Sequence, residues 1–256
     1  MRSPAFALAI AAILAAWVAP AGAQEKKPFA ADPAYADCIA TIADKPKEAF
    51  DKAQGWRARG GGIGAEHCAA LALIELDQPG EAAVRFEAIA RKAEAGSLRD
   101  RTALFDQAGN AWLLAKGAEE AENAFAEAIK LSPRDPALWI DRAQARAMQK
   151  DWRGAETDLN AAINFDRSDP SAFVLRASAR SALGRRVEAR TDIDAALAIS
   201  PDFPDALVER GAMKRAAGDR NGARADWIRV LSKSPKTSAA ESARAYIEAL
   251  DFNPDR

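Results

Sequence analysis

Pro136, Pro170 and Pro204 stand 34 residues apart, and Pro201 and Pro235 repeat the interval. A fixed interval of this length means one supersecondary unit used repeatedly, each copy burying its apolar face against the next. Numbering the units from residues 102, 136, 170 and 204 brings the columns between the prolines into agreement. Position 4 holds Phe105, Trp139, Phe173 and Leu207, and position 24 holds Phe125, Leu159, Ile193 and Trp227. Position 8 is small (Gly109, Ala143, Ala177, Gly211), and position 20 is Ala121, Ala155, Ala189 and Ala223. Position 27 is Ala128, Ala162, Ala196 and Val230, and position 32 is Pro133, Arg167, Pro201 and Pro235. Small residues at 8 and 20 let two antiparallel helices touch where they cross. The large residue at 24 fills the space they leave, and proline near 32 stops the second helix. Gly184 and Gly218, near position 15, punctuate the first.

Composition points the same way. Alanine, the best helix former and a poor strand former, supplies 64 of the 256 residues, and aromatics only 7%. The chain is therefore expected to be all-α. In its period and in the small-8, Ala-20, large-24 and Pro-32 columns, residues 102–237 resemble the tetratricopeptide repeat (TPR) family. The resemblance implies a right-handed α-solenoid of stacked antiparallel helix pairs, with four repeats at 102–135, 136–169, 170–203 and 204–237. A degenerate repeat fits 63–101, with Ala70, Ala82, Phe86 and Ile89 in the small and large columns. Residues 24–62 read as a divergent helix pair, with Ala49 after a Pro46 turn, ending in a Gly-rich loop. Residues 238–256 read as a C-terminal capping helix, Ser238–Leu250, and a tail.

Residues 1–23 are expected to lie outside the fold. Met1-Arg2 is a short positive start, Ala5 to Val18 is apolar, and Ala21-Gly22-Ala23 is a small-x-small cleavage site. This is the layout of a secretory signal peptide cut after Ala23. A membrane anchor is the rival reading, but the apolar run is short for a span. The mature protein is then expected to be periplasmic or secreted, with no further membrane span. Export makes Cys38 and Cys68 a disulfide candidate, because an even pair in an oxidising compartment is read that way. Tyr35-x-x-Cys38, Trp56 and His67-Cys68-Ala69-Ala70-Leu71 also resemble exported bacterial TPR proteins of undefined role, which again implies the disulfide.

Catalytic motifs are not found. One histidine and two cysteines preclude the usual Cys/His zinc sites, so neither a metal nor a cofactor is expected. The Gly60–Gly64 cluster has no strand before it and no Gly-Lys-Ser/Thr, so it reads as a loop and not a phosphate cradle. His67 beside Cys68 invites a thiol–imidazole reading, which a disulfide would remove; a polar histidine on a helix surface is the plainer expectation. Formal net charge is −1, without the basic excess of a nucleic-acid binder. A non-enzymatic, monomeric interaction scaffold of the bacterial envelope is expected, its partner a protein or peptide. A periplasmic binding protein for a small ligand or cell-wall fragment is the alternative.

The TPR resemblance implies that positions 2, 5, 6, 9, 12 and 13 of the first helices line the binding groove. The candidate groove residues are Asp106, Asn110, Ile140, Asp141, Gln144, Val174, Ser178, Val208 and Glu209. Asp106 stands where the carboxylate clamp of the co-chaperone branch has lysine, and Asp141 where it has asparagine, so an acidic C-terminus is an unsuitable ligand. The apolar stripe Ile140, Val174 and Val208 suits an apolar peptide, or else packs between repeats. Position 7 is Arg142, Arg176 and Arg210, and position 23 is Asp158, Asp192 and Asp226, whereas the first repeat has Ala108 and Ala124 there. Loss of both partners together suggests three structural ion pairs. The rival is a basic track continued by Arg146, Arg180 and Lys214.

Overall fold

The computed structural model describes residues 32–92 and 97–252. The leader assigned to residues 1–23 lies outside these residues. Thirteen helices are described: α1 Pro33–Ile42, α2 Pro46–Ala58, α3 Gly62–Glu75, α4 Pro79–Ala90, α5 Leu98–Leu114, α6 Ala118–Leu131 and α7 Pro136–Met148. They continue with α8 Trp152–Phe165, α9 Pro170–Ala182, α10 Arg186–Ile199, α11 Pro204–Ala216, α12 Arg220–Lys233 and α13 Ser238–Phe252. Consecutive helices pack on one another, and the first helices α5, α7, α9 and α11 also touch in sequence, forming one continuous face. α13 covers α11 and α12 at the end of the stack.

The ends of the helices follow from local chemistry. α7 and α9 open with proline behind Asp135 and Asp169, whose Oδ1 atoms accept from the backbone N–H groups of Ala137 and Ser171 at 3.1 and 2.8 Å. α5 begins a turn before the boundary expected at 102, because Thr102 stands where the later repeats have proline. Ser97 and Asp100 close that end as a reciprocal capping box. Position 15 is left-handed in every unit from α3 onward: Asp77, Lys116, Lys150, Gly184 and Gly218 have φ of 58°, 61°, 63°, 79° and 86°. In each case the next N–H returns to the carbonyl five residues back, as from Gly117 to Trp112 at 2.9 Å, which is the Schellman closure.

The core runs the length of the stack as successive clusters, one of them uniting Ala189, Ile193, Leu207, Trp227 and Ala240. Position 8 and position 24 are matched in size. A Cβ on Gly109 would meet the Phe125 ring at 2.5 Å, and one on Gly211 would meet Trp227 at 2.3 Å. Where position 8 is alanine, position 24 is the smaller Leu159 or Ile193. Ala189, fully buried, stands at such a crossing, while Ala198 on the same helix is exposed. Ala189→Leu is expected to cost about 1–3 kcal/mol by overpacking, and Ala198→Leu under about 0.5 kcal/mol. Urea unfolding checks this, and equal midpoints for the two variants would refute the register.

Candidate functional site

The candidate groove residues divide by burial. Ile140, Val174 and Val208 are only 9%, 7% and 7% exposed and belong to the core clusters. Of the two readings of the apolar stripe, the structure gives the packing one, because adjacent first helices close over position 5. Asn110, Gln144 and Ser178 are exposed, and Asp106, Asp141 and Glu209 are half-buried. The open part of the face is therefore acidic and amide-bearing rather than apolar. Asp106 on α5 and Asp141 on α7 hydrogen-bond to each other across the repeat boundary, and Asn110 Nδ2 donates to Asp106 Oδ1 at 3.2 Å. Burial, the Asp106 carboxylate and nearby Asp135 push Asp141 up to about 7. Burial raises Asp106 too, because a half-buried carboxyl disfavours its own charge. Glu209 on α11 is raised by burial and by Asp205.

An acid whose folded pKa is raised favours the folded state when protonated and penalises it when ionised. The penalty from Asp141 therefore grows as pH rises from about 4 and levels off above about 7. Asp141→Asn, which cannot ionise, should raise the melting temperature relative to the native chain at pH 8 by more than at pH 4. A difference independent of pH would contradict the raised carboxyl. Groups held at a cost to stability are a mark of functional surfaces.

A cavity of about 280 Å³ opens between α7 and α9. Gln144, Met148, Leu175 and Ser178 are among its wall residues, and Ala155 and Leu159 of α8 form its floor. The floor is low because this repeat has Leu159 where the first and last repeats have the larger Phe125 and Trp227. Met148, 48% exposed, stands at the rim.

The arginine and aspartate columns meet behind this face. Arg142 Nη2 and Nε donate to Asp158 at 2.7 and 2.9 Å, Arg176 to Asp192 at 2.6 and 3.1 Å, and Arg210 to Asp226 at 2.7 and 2.9 Å. Each is a two-pronged fork onto a buried carboxylate. The cations of the rival basic track are engaged as well: Arg146, Arg180 and Lys214 reach the same three aspartates at 3.0, 2.9 and 2.8 Å. Arg146 and Arg180 also bond Glu122 and Glu156 of the preceding second helices, both at 2.8 Å. The lattice thus ties the 136–169 and 170–203 repeats each to the one before it. Burial works against ionisation of Asp226, but the hydrogen bonds from Arg210 and Lys214 outweigh it and hold that carboxyl below its ordinary range.

The N-terminal units carry a second polar linkage. Cys38 of α1 and Cys68 of α3 form a disulfide, with their Cα atoms 6.4 Å apart. His67, expected on a helix surface, is instead 6% exposed. Tyr35 Oη lies 2.9 Å from its Nδ1 and Gln107 Oε1 lies 2.8 Å from its Nε2, which fixes an Nε2–H tautomer donating to Gln107. Burial lowers the His67 pKa below its usual value. With Cys68 oxidised, no thiol–imidazole pair exists. Among the described residues no cluster of three or more His, Cys, Asp or Glu could hold a metal ion, and no helix is long and apolar enough to cross a membrane.

No family model matches the sequence, and neither does any curated protein. Solved structures do match in fold. PilF of Pseudomonas aeruginosa superposes with a TM-score of 0.58 at 15% identity, covering 83% of this chain and 96% of PilF. MamA of Desulfovibrio magneticus RS-1 gives 0.55 at 16% identity, over 68% of this chain and 95% of MamA. YrrB, a TPR protein with an unusual peptide-binding site, gives 0.51 at 16% identity, over 77% of this chain and 98% of YrrB. At such identities the likeness is one of fold. Stacked helix pairs on a 34-residue repeat define an α-solenoid, and the chain has the TPR fold.

Proposed function

We propose that this protein is a non-enzymatic interaction scaffold of the bacterial cell envelope that binds a peptide or protein segment across the face of its first helices. The observation that carries the reading is that α7 contributes both to the half-buried Asp106–Asp141 pair and to an open cavity on that face. The deeply buried Asp158, Asp192 and Asp226 are each paired with arginine or lysine, whereas Asp106 and Asp141 are half-buried against one another on the open face. YrrB is a precedent for peptide binding on this fold. The signal-like residues 1–23 and the Cys38–Cys68 bond, which suits an oxidising compartment, support the envelope assignment. The cavity also suits the alternative of a small ligand, being close to the lower end of ligand-pocket volumes.

A photo-crosslinking residue at exposed Gln144, compared with one at Val187, which is 82% exposed on α10, tests the face in the native cell. Protein adducts from position 144 and not from 187 are expected. Equal adducts from both positions would remove the groove reading, and a small-molecule adduct alone would favour the alternative. The protein recovered from the envelope fraction should begin at Gln24. A chain starting at Met1 in the cytosol would remove export.

A further inference from the structure

Position 6 of the first helices reads Gln107, Asp141, Leu175 and Glu209 on α5, α7, α9 and α11. Leu175 is a wall of the α7–α9 cavity, so the apolar opening has a carboxylate at the equivalent place on the helix to either side. The wider face repeats the sign. Positions 2, 5, 6, 9, 12 and 13 of the four repeats carry Asp106, Asp141, Asp205 and Glu209 against the single base Arg215. The arginines and lysine at positions 7 and 11 do not offset this, since they are bound to Asp158, Asp192 and Asp226.

We propose that the α7–α9 cavity receives an apolar side chain of a separate protein's peptide segment, while Asp141 and Glu209 each receive a lysine or arginine flanking it. This rests on the groove reading and gives it a ligand chemistry. A cation brought to Asp141 favours its ionised carboxylate beside Asp106. It also supplies the counter-charge that a half-buried carboxylate otherwise lacks. The cavity, about 280 Å³ and lined almost wholly by apolar atoms, releases water when an aliphatic or aromatic side chain enters. The register sets the spacing. First helices about 8–10 Å apart, crossed by a chain rising about 3.3 Å per residue, place the two basic residues about five to six positions apart with the anchor between them.

The test is selection of bead-displayed, C-amidated 12-residue random peptides on the full oxidised chain, followed by Kd measurements on the enriched peptides. Sequences with Phe, Leu, Trp or Met between two Lys or Arg residues are expected. Their affinity should fall at least about tenfold, or about 1.4 kcal/mol, in Ala147→Trp, which fills the cavity from α7. The same loss is expected in Asp141→Asn/Glu209→Gln. Ser178→Trp closes the cavity from α9 and serves if the first variant loses its native melting transition. Groove-dependent binding of acidic peptides, or of basic peptides indifferent to both cavity variants, would overturn the proposal and leave the scaffold reading standing. Absence of any groove-dependent binder would remove both. Tight groove binding of a peptide copied from residues 24–31, which carry Lys26, Lys27 and Phe29, would overturn the assignment to a separate partner.

Discussion

Asp192→Ala is expected to lower the unfolding free energy by about 3–5 kcal/mol, the cost of removing one side of a buried ion pair. Asp192 is 2% exposed and accepts from Arg176 Nη2, Arg176 Nε and Arg180 Nη1 at 2.6, 3.1 and 2.9 Å. Its removal strands the Arg176 guanidinium, whose side chain is 15% exposed, with no counter-charge, only the Asn160 Oδ1 hydrogen bond at 2.8 Å and the Phe173 ring 5.5 Å away. Arg180 fares better because it keeps Glu156. Arg176→Ala should cost less than Asp192→Ala, since Asp192 then retains Arg180. The double variant should cost less than the two single losses added together, because no buried charge is then left without its partner. The chain holds its own precedent for that state: the 102–135 repeat packs with Ala108 and Ala124 at these positions, both buried. Denaturant unfolding of the four proteins of this cycle measures the coupling. Additivity to within about 0.5 kcal/mol would show that the forks contribute nothing to the stack.

The parts of this arrangement that repeat were legible in the sequence. Arg176 and Asp192 could be paired because the same two residue types recur at one separation in three repeats and vanish together in a fourth. The second cations at position 11 were visible as a column too. Their geometry was not, because whether Arg146 turns outward or back toward Asp158 depends on how closely the helices pack. The left-handed residue at position 15 shows the opposite limit. Glycine marked it at 184 and 218, but Lys116 and Lys150 adopt the same backbone with a β-carbon. The penalty for a non-glycine residue there is about 1–2 kcal/mol, small enough for the helix–helix packing on both sides to impose. Features without a column were the hardest to read. His67 is buried because Tyr35 and Gln107 arrive from α1 and α5, 32 and 40 residues away along the chain, and no local pattern announces such partners. The cavity is a difference between repeats, Leu159 in place of Phe125 or Trp227, which an alignment that seeks agreement passes over.

Reducing the Cys38–Cys68 bond is expected to destabilise the N-terminal units by about 3–4 kcal/mol, the chain-entropy value for a loop of this size, the cysteines being 30 residues apart. The effect should be local. Stability in a repeat stack is a sum of unit and neighbour-interface terms, and the cysteines lie in a small alanine-rich cluster with Ala49, Ala53, Ala69 and Ala72. That cluster buries few large side chains of its own, unlike the units anchored by Phe125 or Trp227. α1 and α2 therefore depend on the cross-link for order that the later repeats obtain from apolar packing and from the arginine–aspartate lattice. By contrast, α3 and α4 also share Leu73, Phe86 and Ile89 with the next unit's core. Loss of α1 would also release Tyr35 from His67, opening the buried imidazole to water. Hydrogen exchange on the oxidised and reduced chains should show faster exchange in α1 to α3 on reduction, with α7 to α12 unchanged. Uniform acceleration along the whole chain would mean that the stack unfolds as one unit. Thiol labelling of the denatured exported protein gives the prior check, since two reactive thiols per chain would show that the bond does not form.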